Sequence, residues 1–130
     1  MEYPYIEQVT GVHLPIVPVQ LQMGERWFYC MAYLDSGASA SVFQMKVAKA
    51  LGLSKRAGQK RFITVGDGDQ MPVFYYRLRV RFSNFVFWAQ VGFSEALGTG
   101  FNIIGRASFF ERFRICFNDH DKVLTTLRLF

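Results

Sequence analysis

The sequence predicts a mainly β domain, and three observations carry that prediction. Apolar and polar residues alternate with period 2 over several short runs. Clusters of turn residues separate those runs, Gly66-Asp67-Gly68-Asp69 and Asn118-Asp119-His120-Asp121 being the clearest. Helical spacing shows in only two short stretches. The 130 residues suit one domain over 1–130, and with 51% of them hydrophobic a sizeable core is available.

Val17 to Met23 alternates and stops at Gly24, so it reads as a strand. From Trp27 to Asp35 both faces are apolar. Trp27, Tyr29, Met31 and Tyr33 share one face, Phe28, Cys30, Ala32 and Leu34 the other, which predicts a strand buried on two sides. Ser41 is placed to cap a short helix through Leu51, with Val47 and Leu51 aligned at i, i+4 and Gly52 as its stop. Phe62 to Val65 and Met71 to Phe82 are the arms of a hairpin turning at 66–69. In the second arm Arg77, Arg79 and Arg81 alternate with Leu78, Val80 and Phe82, giving one wet face. Phe85 to Phe93 is a further strand and Ala107 to Arg112 a second short helix. Two closing strands, Phe113 to Phe117 and Val123 to Phe130, flank the last turn.

Charge and composition narrow the function classes. The net charge of +5 is modest. Lys55, Arg56, Lys60 and Arg61, together with the alternating arginines, supply a basic stretch, but no aromatic RNA-binding motif accompanies it. A solvated hairpin arm explains it, and no nucleic acid is expected. The 14 Phe, 6 Tyr and 2 Trp exceed what a small core needs, which predicts an apolar groove or a subunit interface. Cys30 and Cys116 lie in apolar runs and read as buried free thiols. His13 and His120 are the only histidines, so no metal or other cofactor is expected. No signal peptide is visible and no apolar run approaches the roughly 20 residues of a membrane span. A cytoplasmic setting without a membrane segment is the expectation.

The segment with most chemical content is Tyr33-Leu34-Asp35-Ser36-Gly37-Ala38-Ser39. A carboxylate there ends an apolar strand. Burying a lone ionised carboxylate is costly, so Asp35 either caps nearby amides or has chemistry to do. About 70 residues later stands Phe101-Asn102-Ile103-Ile104-Gly105-Arg106. The ordered set of Asp35 to Ala38, the glycine-bearing hairpin at 66–69, and Ile103-Ile104-Gly105 before a short helix resembles the retropepsin family. These are the single-domain aspartic peptidases of retroviruses and their cellular relatives.

The resemblance spans Val17 to Phe117 and implies an acid-protease barrel with a flap hairpin and one or two short helices. It implies that Asp35 is the catalytic aspartate. Ser36 would stand for the hydroxyl residue that ties two catalytic loops together, and Gly37 for the glycine lying against substrate. Ala38 and Ser39 would line the cleft floor, with Val65, Gly66, Asp67 and Gly68 of the flap and Ile104 completing the substrate site. Ile103 and Ile104 resemble the apolar pair behind the loop. The chain departs from the viral pattern in three places. Ser39 stands where an acid is usual, leaving Arg106 without that partner. The flap tip carries Asp67 and Asp69. A tail from Asp119 to Phe130 adds a strand, either to the sheet or to a dimer interface.

Water-activating carboxylate chemistry needs two acids sharing one proton, and only one Asp-Ser-Gly occurs here. The second acid is therefore expected from another copy on a two-fold axis. The function implied is a homodimeric aspartic endopeptidase acting on extended polypeptide, with apolar residues favoured at the cut. The alternative is a catalytically silent module of the same fold that binds peptides or dimerises.

Overall fold

A computed structural model describes residues 1–97 and 100–130, with Arg56 of the basic stretch described through its backbone alone. Among the described residues twelve strands run in chain order: β1 (Glu2–Pro4), β2 (Ile6–Val9), β3 (Val12–Leu14), β4 (Ile16–Met23), β5 (Arg26–Leu34), β6 (Val42–Gln44), β7 (Gln59–Thr64), β8 (Gln70–Phe82), β9 (Phe85–Ser94), β10 (Asn102–Ile104), β11 (Phe113–Asn118) and β12 (Val123–Arg128). One helix, α1 (Met45–Leu51), follows β6, and a 3-10 turn covers Lys55–Ala57. No helix among the described residues is long and apolar enough to cross a membrane.

The main sheet has the order β4-β5-β10-β6-β9-β8-β7, and β4 also pairs with β8. That extra pairing closes the sheet on itself, which removes most of its open edges. β8 makes closure possible because it is 13 residues long. One of its edges serves β7 over 70–75 and then β4 over 79–81, while the other holds β9.

β8 also divides its outward face in two. Near the hairpin, Met71, Val73 and Tyr75 are buried with Val42 in a small second core. Beyond it, Arg77, Arg79 and Arg81 stand in water, as the alternation predicts, while Leu78, Val80 and Phe82 enter the main core.

The main core absorbs most of the aromatic surplus. Phe43, Phe82, Phe93 and Phe109 are fully buried. Phe82 meets Phe113 edge-on at 5.0 Å and Phe109 at 5.9 Å, and Phe87 meets Phe109 at 5.5 Å. Such edge-to-face contacts add roughly 0.5–1.5 kcal/mol each beyond area burial. Only Phe62 and Phe130 stand out as exposed phenylalanines. Many of the rings thus serve the core, while Phe28, Tyr29, Tyr33 and Phe101 line a cleft of about 440 Å³.

Four expectations change. The helix begins at Met45, after strand β6, and Ser41 is not its cap; Gln44 takes that position and Gly52 closes the helix with φ +76°. The stretch from Ala107 is an irregular turn, Arg106–Phe110, interrupted by extended Ala107 and left-handed Ser108 at φ +70°. β5 is not buried on both sides, for Tyr29 is exposed and Trp27, Met31 and Tyr33 are half-buried. Cys30 is partly buried, and loss of hydration pushes its thiol up to about 12, but Cys116 is exposed.

The tail forms the middle strand of a separate sheet, β1-β12-β11, within the same chain. Tyr5 beside it donates its hydroxyl to Asp119 Oδ1 at 2.7 Å. Burial first, then that carboxylate, pushes the Tyr5 phenol up to about 12.

Candidate active site

Asp35 sits where two distant segments meet. β5 and β10 pair in parallel, with Ala32 opposite Asn102 and Leu34 opposite Ile104. The ladder ends with Asp35 N–H donating to the Ile104 carbonyl at 3.0 Å. The chain then turns on itself. Gly37 N–H donates to Asp35 Oδ1 at 2.8 Å, and Ala38 N–H to the Asp35 carbonyl at 3.2 Å. Asp35 is half-buried, with Ser36 and Gly37 exposed around it. Among the described residues no cation pairs with its carboxylate.

The other side of the loop is tied to the segment after β10. Arg106 N–H donates to the Ala38 carbonyl at 2.9 Å and Ala107 N–H to the Ser39 carbonyl at 3.0 Å. Ser41 Oγ accepts the buried Gly105 amide at 3.0 Å, while the Ser41 carbonyl accepts Gly92 N–H at 2.9 Å. The approach at Gly105 is so close that a Cβ there would lie 2.3 Å from the Ala40 carbonyl oxygen and 2.8 Å from that of Ala38. Glycine is required here by space, whatever the backbone angles. These bonds also explain the lost helix: Ala107 stays extended because its amide is committed to Ser39, and Ser108 Oγ accepts Gln90 N–H at 3.2 Å.

A cavity of about 410 Å³ opens over this loop. Asp35, Gly37, Ala38, Ser39 and Ala40 form its floor. Ile63, Thr64, Val65, Gly66 and Met71 of the β7–β8 hairpin form its roof, and Val42, Leu97 and Ile103 its walls. Apart from Asp35, the hydroxyl groups of Ser39 and Thr64 are the polar side-chain groups in this lining, so an apolar group fits.

The structure therefore brings Asp35, Gly37, Ala38, Ser39, Val65 and Gly66 together around one cavity. It does not bring in all the predicted residues. Ser36 faces another cleft, of about 350 Å³, that Asp35 shares with Tyr33 and Asp119. Asp67 and Gly68 are exposed at the hairpin tip and do not line the cavity. There Asp67 Oδ1 accepts Asp69 N–H at 2.9 Å and Gly68 adopts φ +91°, so the tip acids build the turn. Ile104 is 0% exposed in the core and does not line this cavity; its neighbour Ile103 takes the position expected of it. In a three-residue strand the alternation decides which isoleucine faces out, and sequence alone does not say which. Arg106 is exposed without an ion pair among the described residues.

The residues that sequence reasoning missed are Ala40, Val42, Ile63, Thr64, Met71, Leu97 and Ile103. A signal existed for some. Ile63 shares a strand face with Val65 and pairs with Met71 across the hairpin, so naming Val65 implied both.

No family model and no curated protein sequence matches the chain. Solved structures do. One is EIAV protease complexed with the inhibitor HBY-793, at 17% identity and a TM-score of 0.57, the match covering 76% of this chain and 88% of that one. At that identity the likeness speaks for the backbone arrangement alone. With the closed β sheet, the glycine-tipped hairpin over the Asp35 loop and the close approach at Gly105, the chain has a retropepsin-like fold.

Proposed function

We propose that this protein is an aspartic endopeptidase that works as a homodimer, with Asp35 of each copy forming one catalytic pair. The observation that carries this reading is the placement of Asp35. It is half-buried on the floor of an apolar cavity, fixed by Gly37 N–H, beneath a hairpin roof, and without a cation to neutralise it among the described residues. A carboxylate held so firmly yet left open to solvent suits a group that meets a second carboxylate. Asp119, the other acid lining a cleft with Asp35, is already engaged by Tyr5.

In the assembled pair two carboxylates about 3 Å apart cannot both ionise, so they share one proton. The ionised member takes a proton from water as its oxygen attacks the scissile carbonyl carbon. The protonated member donates to the carbonyl oxygen. The tetrahedral intermediate then collapses, the C–N bond breaks, and the amine leaves with a proton. The two apparent pKa values belong to the pair and give a bell-shaped rate profile on the acid side of neutrality.

An extended polypeptide fits between floor and roof by strand addition, with alternate side chains entering pockets. Ile63, Val65, Met71, Leu97 and Ile103 favour an apolar side chain in the cavity. Asp67 at the hairpin tip does not favour the catalytically silent alternative, because its carboxylate is occupied in its own turn.

The test is cleavage of a diverse peptide library between roughly pH 4 and 7 by the wild type and by Asp35→Asn. The reading expects cutting by the wild type beside apolar residues and none by the variant. Equal cutting by both, or cut sites dominated by charged residues, contradicts it.

A further inference from the structure

Closure of the sheet brings four strands side by side on the face away from the core. Their registers set two rows. Tyr29, Gln20, Arg81 and Val86 lie in one row across β5, β4, β8 and β9, and Trp27, Gln22, Arg79 and Trp88 in the next. Arg77 follows beside Gln90. None of these outward positions carries an acid. The nearest one along the chain, Glu25, is in the turn between β4 and β5.

The three arginines have no carboxylate partner among the described residues. Arg79 and Arg81 donate to the side-chain oxygens of Gln22 and Gln20, at 3.1 and 2.8 Å. Arg81 lies 4.4 Å over the Trp27 ring and Arg77 5.7 Å over Trp88. These contacts orient the guanidiniums without neutralising them. Trp88 is 50% exposed and Tyr29 61% exposed, so both rings are open on this face. With strands roughly 4.8 Å apart, the two tryptophans stand about 14 Å from one another, with Arg79 between them.

We propose that this face binds single-stranded nucleic acid. Rings flanked by unneutralised guanidiniums offer a stacking platform for bases and a cationic track for phosphates. A pocket of about 220 Å³ that shares Gln20, Tyr29 and Arg81 has no acid in its lining and extends the track at one end. An acidic polypeptide would use the arginines but would leave the exposed rings without a role. The sequence alone argued against nucleic acid because no aromatic motif accompanies the arginines. The rings instead come from other strands: Trp88 meets the arginines across the β8–β9 pairing, and Trp27 and Tyr29 of β5 reach them when β4 pairs with β8.

The test is fluorescence anisotropy of a labelled oligouridylate with the full chain at 50–200 mM salt, with polyglutamate as competitor. Three phosphate contacts give a log Kd slope of about 2 against log salt for a single strand, falling to about 1.4 in Arg79→Gln. Trp88→Ala weakens binding roughly fivefold or more and leaves folding intact, as checked by thermal melting. Arg114→Gln, at an exposed site on β11, leaves affinity unchanged. Three results would each overturn the proposal: no binding at low salt, equal weakening by Arg114→Gln, or polyglutamate binding as tightly with no effect of Trp88→Ala.

Discussion

The floor and the roof of the cavity are built on opposite plans. The floor loop, 35–41, is anchored to three other strands or segments by bonds from Ile104, Gly105, Arg106, Ala107 and Gly92. The roof tip, 66–69, is held by bonds within its own turn: Val65 N–H to Asp69, Gly68 N–H to Val65, and the Asp67 carboxylate to Asp69 N–H. A loop tied to distant strands moves only when the barrel does. A self-contained turn moves as a unit on the two arms that carry it. The difference sets a floor tied into the sheet against a roof tip whose bonds are its own.

The comparison breaks most severely at Gly105. Gly105→Ala drives a methyl group into the Ala40 carbonyl, and the cost is expected at or above the top of the roughly 1–3 kcal/mol range for overpacking. Urea unfolding measures it, and a loss under 1 kcal/mol would mean the floor yields more than its bonds suggest. Ser41→Ala removes the acceptor of a buried amide and is expected to cost about 1–3 kcal/mol. Asp67→Ala affects an exposed turn and is expected to cost less than about 1 kcal/mol, with hydrogen exchange rising at the tip and unchanged on the floor. Exchange spreading to 35–41 would erase the distinction.

Alkaline pH acts on the body of the fold. The Cys30 thiol and the Tyr5 phenol are both pushed up to about 12, by burial above all. Their protonated forms are the ones the folded state keeps. The stability they contribute is therefore complete below pH 9 for Cys30 and below pH 10 for Tyr5, and is lost as pH rises toward 12. Stability measured from pH 8 to 12 should fall across that window, and a flat profile would contradict it. The smallest expected effect is chemical: at pH 8 a thiol reagent labels exposed Cys116 well ahead of Cys30, and equal rates would show Cys30 to be accessible.

The long strands were legible because alternation is a local property. Both hairpin arms, the wet face at Arg77, Arg79 and Arg81, and the glycine stop at Gly52 follow from neighbours in sequence. The short strands β1, β2, β3, β6 and β10 were not, since three or four residues carry no period. β6 forms its ladder with β9 and β10 with β5, and Val42 meets Ile103 across 61 positions. The same long-range bonding took Ser41 from a helix cap to the Gly105 amide and unwound the turn at Ala107 and Ser108. At the site, the Asp35 loop and Gly105 could be named from the chain, whereas Leu97 and Ala40 needed the fold to bring them to the cavity.

The central claim is that the catalytic pair is shared between copies, and subunit mixing tests it most directly. Wild type and Asp35→Asn are unfolded together in equal amounts, refolded and assayed for peptide cleavage. If each active centre needs Asp35 from both copies, random two-fold pairing leaves about one dimer in four active, so activity per wild-type chain falls to roughly half. Activity per wild-type chain that stays unchanged as the variant is added would contradict the shared pair and place the reaction within a single chain.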